Sequence, residues 1–126
     1  MTLTLAIDTS TDVRVGFARD GNELNFGVVA DPRAHCEQLM PLVVRLAQDA
    51  GVGLSLLDQI VVGVGPGPFT GLRVGVVTAL TLGETLGIPV RGVCSLDAVA
   101  RQWALQDAPK EFVVVSDARR REVYWA

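Results

Sequence analysis

The sequence predicts an α/β fold, a mixed sheet of three antiparallel and then parallel strands with helices on its faces. Three observations predict it. The first thirty residues hold three short runs of β-forming residues, joined by turns too short to contain a helix. From about Arg33 the apolar period lengthens from two residues to three and four. Beyond that point strand-like and helix-like segments alternate, the order that lays strands side by side in parallel.

The elements follow in chain order. LTLAIDTS, DVRVGFARDG and NELNFGVVA read as strands, with turns at Thr11-Asp12 and Asp20-Gly21-Asn22 that favour an antiparallel meander. Leu39, Leu42, Val43, Leu46, Ala47 and Ala50 then recur at helical spacing, with Gly51 as C-cap. Pro41 lies inside this helix and should remove one backbone bond and bend it. A strand is expected from Gln59 to Val64, then a Gly/Pro loop, then a helix from Thr70, its expected N-cap, to Leu86, closed by Gly87. Ile88 to Val93 reads as a strand, with Pro89 near its start. Ser95 is the expected cap of a short helix from Asp97 to Leu105. Glu111 to Ser116 reads as another strand, and Glu122 to Trp125 begins a further one. This order matches the actin-like (ribonuclease H-like) half-domain of sugar kinases, actin and the heat-shock ATPases. Proteins with that half-domain usually carry two. EVYWA stops partway through a strand, so residues 1–126 are expected to be the N-terminal half-domain of a longer protein.

Composition narrows the function classes. The chain has 126 residues, 49% hydrophobic and 20% charged, which suits one domain with a real core. No apolar run approaches the ~20 residues that span a bilayer, and MTLTLAIDTS lacks the basic start of a signal peptide. Cys36 and Cys94 are too few to staple a secreted scaffold, so reduced thiols and a cytoplasmic setting are expected. A net charge of -3 gives no basic field for gripping nucleic acid. His35 is the one histidine, which excludes a zinc site with two imidazoles. It also leaves a peptidase without an organised nucleophile and base.

The densest pattern is GVGPGPFTGLRVGVVTAL, residues 63–80. GxxxxGK[ST] is absent, and Pro68 stands where the last glycine of GxGxxG belongs. Pro66 and Pro68 also remove amide donors from a loop that would need them to hold an anion. Arg73 in the first turn opposes the helix dipole, so it should have a partner, a carboxylate such as Asp8 or an anion. From Val74 to Gly83 the helix carries no charge, with small residues at Gly71, Gly75, Ala79 and Gly83 that would let another helix approach closely. Met40, Val43, Val44 and Ala47 form a second apolar row on the earlier helix. Such excess apolar surface is covered either by a second domain or by another subunit, and a subunit interface is the sharper reading.

AIDTS, GVGPGPFTGLRVGV and DARRREVYWA resemble the TsaB (YeaZ) family, across essentially the whole chain. That resemblance implies a non-catalytic partner protein in making threonylcarbamoyladenosine on tRNA. It implies a catalytic paralogue that carries the active site and an ATP-hydrolysing third subunit. It implies that tRNA is met only through the complex. In the paralogue two histidines on the first helix hold a metal. PRAHCEQLMP has His35 alone, so neither metal nor cofactor is expected here. The family also pairs through its first two helices, and the isolated chain is expected to form a homodimer there. The contact positions are then Met40, Val43, Val44 and Ala47, with Gly75, Val77, Leu80, Thr81 and Glu84 on the second helix.

The alternative is an actin-like phosphotransferase or ATPase that holds nucleotide with Asp8 and the Gly63 to Gly71 loop. Its anion contacts would be Asp8, Thr9, Ser10, Gly67, Thr70 and Arg73. Set against it, Asp8-Thr9-Ser10 reads as an Asx turn at a strand end. The Gly/Pro loop then reads as a tight turn setting up an interface helix. The basic DARRREV stretch reads as a solvated hairpin.

Overall fold

A computed structural model describes residues 2–30, 35–106, 109, 111–119 and 122–125, without the side chains of residues 35, 36, 117–119 and 122. The first three strands are β1 (Leu3–Asp8), β2 (Val13–Arg19) and β3 (Asn22–Val29). They form the antiparallel meander that the short turns predict. Asp20 and Gly21 both have positive φ, 52° and 80°, the backbone that a two-residue Asp-Gly hairpin turn requires.

Helix α1 (His35–Asp49) carries Pro41 in its interior and ends at Gly51, φ 66°. There the amide of Val52 donates to the carbonyl of Ala47 at 2.8 Å, closing the last turn. A 3-10 turn (Leu54–Leu56) leads into β4 (Gln59–Gly63), which pairs in parallel with β1. Helix α2 (Phe69–Leu86) returns the chain to β5 (Val90–Val93), parallel to β4. The five-stranded sheet has the order β3-β2-β1-β4-β5, and its parallel pairs β1–β4 and β4–β5 are what the alternating pattern implies.

Alternation along the strands decides the two faces. Leu3, Leu5 and Ile7 of β1 and Val13, Val15 and Phe17 of β2 are buried in one core with Leu39, Leu42, Val43 and Leu46 of α1. Gly27 of β3 lets α1 approach, since a Cβ there would lie 2.9 Å from Leu42 Cδ1. Helices α1 and α2 touch each other and share this face. The other face carries Ala6, Gly16 and the exposed Phe26 and Val28. Helix α3 (Ser95–Ala104) follows β5.

The structure corrects three local expectations. Pro68, not Thr70, is the N-cap of α2, so Thr70 lies inside the first turn and caps nothing. Cys94, not Ser95, occupies the cap position of α3, because the Ser95 hydroxyl accepts the Gly65 amide at 3.2 Å. Residues 111–114 are not strand; β6 runs Val115–Arg119. It pairs with β7 (Glu122–Trp125) in a separate antiparallel hairpin and does not extend the main sheet. The hairpin expected of DARRREV is present in the backbone, and the charged side chains of residues 117 and 119–122 lie outside the described residues.

Candidate functional site

The carboxyl ends of β1, β4 and β5 meet at one edge of the fold, where open α/β sheets usually place ligands. Asp8 ends β1, Gly63 ends β4 and Val93 ends β5. Asp8 Oδ1 accepts the Ser10 amide at 2.8 Å and the Ser10 hydroxyl at 2.5 Å. That is an Asx turn, closed by the chain itself. Asp8 Oδ2 points across to β4, where a Cβ on Gly63 would run into it. Gly67 packs on the same turn, its missing Cβ 2.6 Å from the Ser10 carbonyl oxygen.

The loop between β4 and α2 is held from outside. Gly65 has φ 99° and is followed by a cis Gly65–Pro66 peptide bond. Its amide donates to Ser95 Oγ at 3.2 Å, and its carbonyl accepts the Ser95 amide at 2.7 Å. Val64 donates to the Val93 carbonyl at 2.9 Å. Two of the loop's amides are therefore spent on the start of α3 and the end of β5, and two prolines have none.

A cavity of about 350 Å³ lies beside it, lined by Asp8, Ser10, Thr11, Arg14, Pro66 and Ser95 among others. Arg14 is its one cation among the described lining residues, and Arg14 Nε donates to Asp12 Oδ1 at 2.6 Å. This bond holds the Asp12 carboxyl below its usual value of 3.8 and raises Arg14. The positive charge facing the cavity is thus already paired.

The expected anion contacts are not one site. Asp8, Ser10 and Gly67 come together. Thr9 turns inward, 1% exposed, and its hydroxyl is used twice by α2. Thr70 and Arg73 line a different, shallow cavity on the outside of α2 with Phe69, Val74 and Val77. Arg73 has no carboxylate partner among the described residues; its guanidinium lies over the Phe69 ring, 5.9 Å from the centroid. Among the described residues no cluster of three or more His, Cys, Asp or Glu side chains could hold a metal. His35 begins α1, and its side chain lies outside the described residues.

The helix surfaces are also redistributed. Val43, Ala47 and Gly75, expected at a contact, are buried in this chain's own core or against its own strand. The small row of α2 (Gly71, Gly75, Ala79 and Gly83) faces the sheet. A Cβ on Gly75 would meet Thr9, and one on Gly83 would meet Val90. Those residues admit strands, not a partner helix. What remains outward is Val77 at 54% and Leu80 at 56% exposure, with exposed Val44, Thr81 and Glu84 and half-buried Met40.

One feature escaped the sequence: an apolar cavity of about 250 Å³ on the other sheet face, between Ala6, Gly16, Phe26, Val61 and Ala98. The alternation of Leu24, Phe26 and Val28 in β3 was its only signal. No helix among the described residues is long and apolar enough to cross a membrane.

A family model described as TsaD: tRNA N6-adenosine threonylcarbamoyltransferase matches residues 27–126. An uncharacterized protein of Mycobacterium tuberculosis is 50% identical over 125 residues, 97% of this chain and 57% of that protein. The tRNA threonylcarbamoyladenosine biosynthesis protein TsaB of Escherichia coli is 35% identical over 124 residues, 97% of this chain and 53% of that protein. The solved structure of YeaZ from Pseudomonas aeruginosa superposes with a TM-score of 0.90 at 35% identity, covering 99% of this chain and 59% of that one. The chain spans a little over half the length of these relatives.

Proposed function

The chain belongs to the TsaB (YeaZ) family, and from that premise we propose that it serves as a non-catalytic partner subunit in threonylcarbamoylation of tRNA. In this reading it supports a catalytic paralogue, joins an ATP-hydrolysing third subunit, and meets tRNA only through the complex. Alone it forms a homodimer on the same surface. The observation that carries the reading is the outward face of α2, where Val77 and Leu80 stand exposed in a helix without a charge from Val74 to Gly83. Exposed aliphatic side chains in a charge-free stretch are held at a free-energy cost in water that is relieved when another surface covers them.

The matching family model is described as a transferase, yet a non-catalytic role accounts better for these residues. The one histidine of the chain cannot supply a two-imidazole metal site. Asp8 and Ser10 bind each other, and Arg14 binds Asp12.

The test is the modified nucleoside released by digestion of tRNA from cells carrying variants of the full protein. Val77→Glu puts a carboxylate into a contact that must be dry, and it should remove the complex and the modification together. His35→Ala should leave modification nearly intact. If His35→Ala abolishes modification while the complex still assembles, the non-catalytic assignment is wrong.

A further inference from the structure

Thr9 is buried at the end of β1, and its hydroxyl is bound twice to a single helix. It donates to the Gly71 carbonyl at 2.6 Å and accepts from the Gly75 amide at 3.1 Å. Residues four apart are the pair whose own amide and carbonyl close a turn of α-helix. The Thr9 oxygen therefore bridges one step of the α2 ladder from the side. Groups that enter the ladder in this way steer the local path of a helix. Glycine at 75 makes the approach possible: a Cβ there would lie 2.5 Å from Thr9 Oγ1 and 3.1 Å from Thr9 Cγ2.

The bridge ends within a turn and a half of the exposed side chains. Val77 and Leu80 follow Gly75 by two and five residues, and each helical residue turns the axis by about 100°. The azimuth held at Gly75 thus decides which way Val77 and Leu80 point. We infer that Thr9 is a positioning residue: its hydroxyl pins the first turns of α2 to the end of β1 and sets the rotation at which the outward face of α2 is presented. This rests on the reading of α2 as a contact helix. A threonine that was only a satisfied core residue would affect stability and leave association of the folded chain alone.

Thr9→Val keeps the shape and removes the hydroxyl, while Thr9→Ser keeps the hydroxyl. Both are compared with the wild-type chain, with Leu80→Asp as the contact control. Two quantities are read: exchange of the Gly75 amide by nuclear magnetic resonance, and self-association by sedimentation of protein shown to be folded by circular dichroism. Loss of one hydrogen bond from the pin should speed Gly75 exchange and weaken association about tenfold each in Thr9→Val. Thr9→Ser should return both to near the wild-type values. Wild-type association by folded Thr9→Val overturns the inference, as does Thr9→Ser behaving no better than Thr9→Val. Should Thr9→Val fail to fold, Gly75→Ala takes its place, because its Cβ displaces the bridge; unchanged association there overturns the inference too. Unchanged association in Leu80→Asp would instead refute the contact reading, and Gly75 exchange in the Thr9 variants would then decide the pin by itself.

Discussion

At the scale of single residues, the strand ends are held by contacts that tolerate no extra atom. Gly63 faces the Asp8 carboxylate, and an added Cβ would lie 2.6 Å from Asp8 Cγ and 2.8 Å from Ser95 Oγ. Gly63→Ala is therefore predicted to destabilise the fold by about 1–3 kcal/mol, read as a lower urea midpoint. Asp8→Ala in the same chain should recover part of that loss, since the two positions share one space. An unchanged midpoint in Gly63→Ala would mean that Asp8 does not sit as described. Asp12 gives a second, smaller expectation. Its carboxyl lies below 3.8 because Arg14 binds the charged form. A depressed carboxylate stabilises the folded state above its unfolded value, and that contribution fades as pH falls through the folded one. Arg14→Ala should thus cost at most about 1 kcal/mol near neutral pH, as both side chains meet solvent. The difference should shrink as pH falls below 3.8 and through the depressed folded value, and a difference that grows on acidification would reverse the assignment.

At the scale of elements, the two helices differ in what they leave uncovered. Val43 is 0% exposed in the core, while its neighbour Val44 is exposed. Val43→Asp should unfold the chain, because a buried unpaired carboxylate costs several kcal/mol. Val44→Asp should leave the monomer folded. Circular dichroism of the pair separates the face of α1 that builds the fold from the face available to a partner. On α2 the same reasoning selects Leu80. If α2 is the self-contact of the proposed homodimer, Leu80→Asp should give a folded monomer by light scattering, and a dimer that survives it would place the contact elsewhere. The small row of α2, read as a helix-docking stripe, turned out to be the side that admits β1 and β5. Its spacing was legible and its neighbour was not, because a row of glycines states only that something approaches closely.

At the scale of the whole molecule, the sheet and the hairpin β6–β7 are separate pairings. A hairpin that pairs only with itself is marginal in water, so its amides should exchange orders of magnitude faster than those of the central strands β1 and β4. Equal protection would mean that the hairpin docks on the main body. The cleft at the carboxyl ends gives the other test. With Asp8 committed to Ser10 and Arg14 to Asp12, calorimetric titration of the chain with ATP and magnesium should give no binding in the micromolar range. Micromolar binding that disappears in Asp8→Ala would instead support an actin-like ATPase.

What the sequence determined by itself was the set of elements that strong local signals specify. The strand meander followed from period-two patterning and the Asp20-Gly21 turn, and α1 and α2 from their apolar period and from Gly51 and Gly87 at their ends. The Asx turn at Asp8 was legible as well, because an aspartate binds the backbone two residues on within one short segment. The misreadings have one cause. Whether Ser95 caps α3 or binds Gly65, and whether Gly75 faces a partner or Thr9, depend on groups 30 and 66 residues away. Local propensity is a property of a few neighbouring residues. The competition for a hydroxyl or for the space beside a glycine is settled only when distant segments meet, and only the tertiary structure decided it.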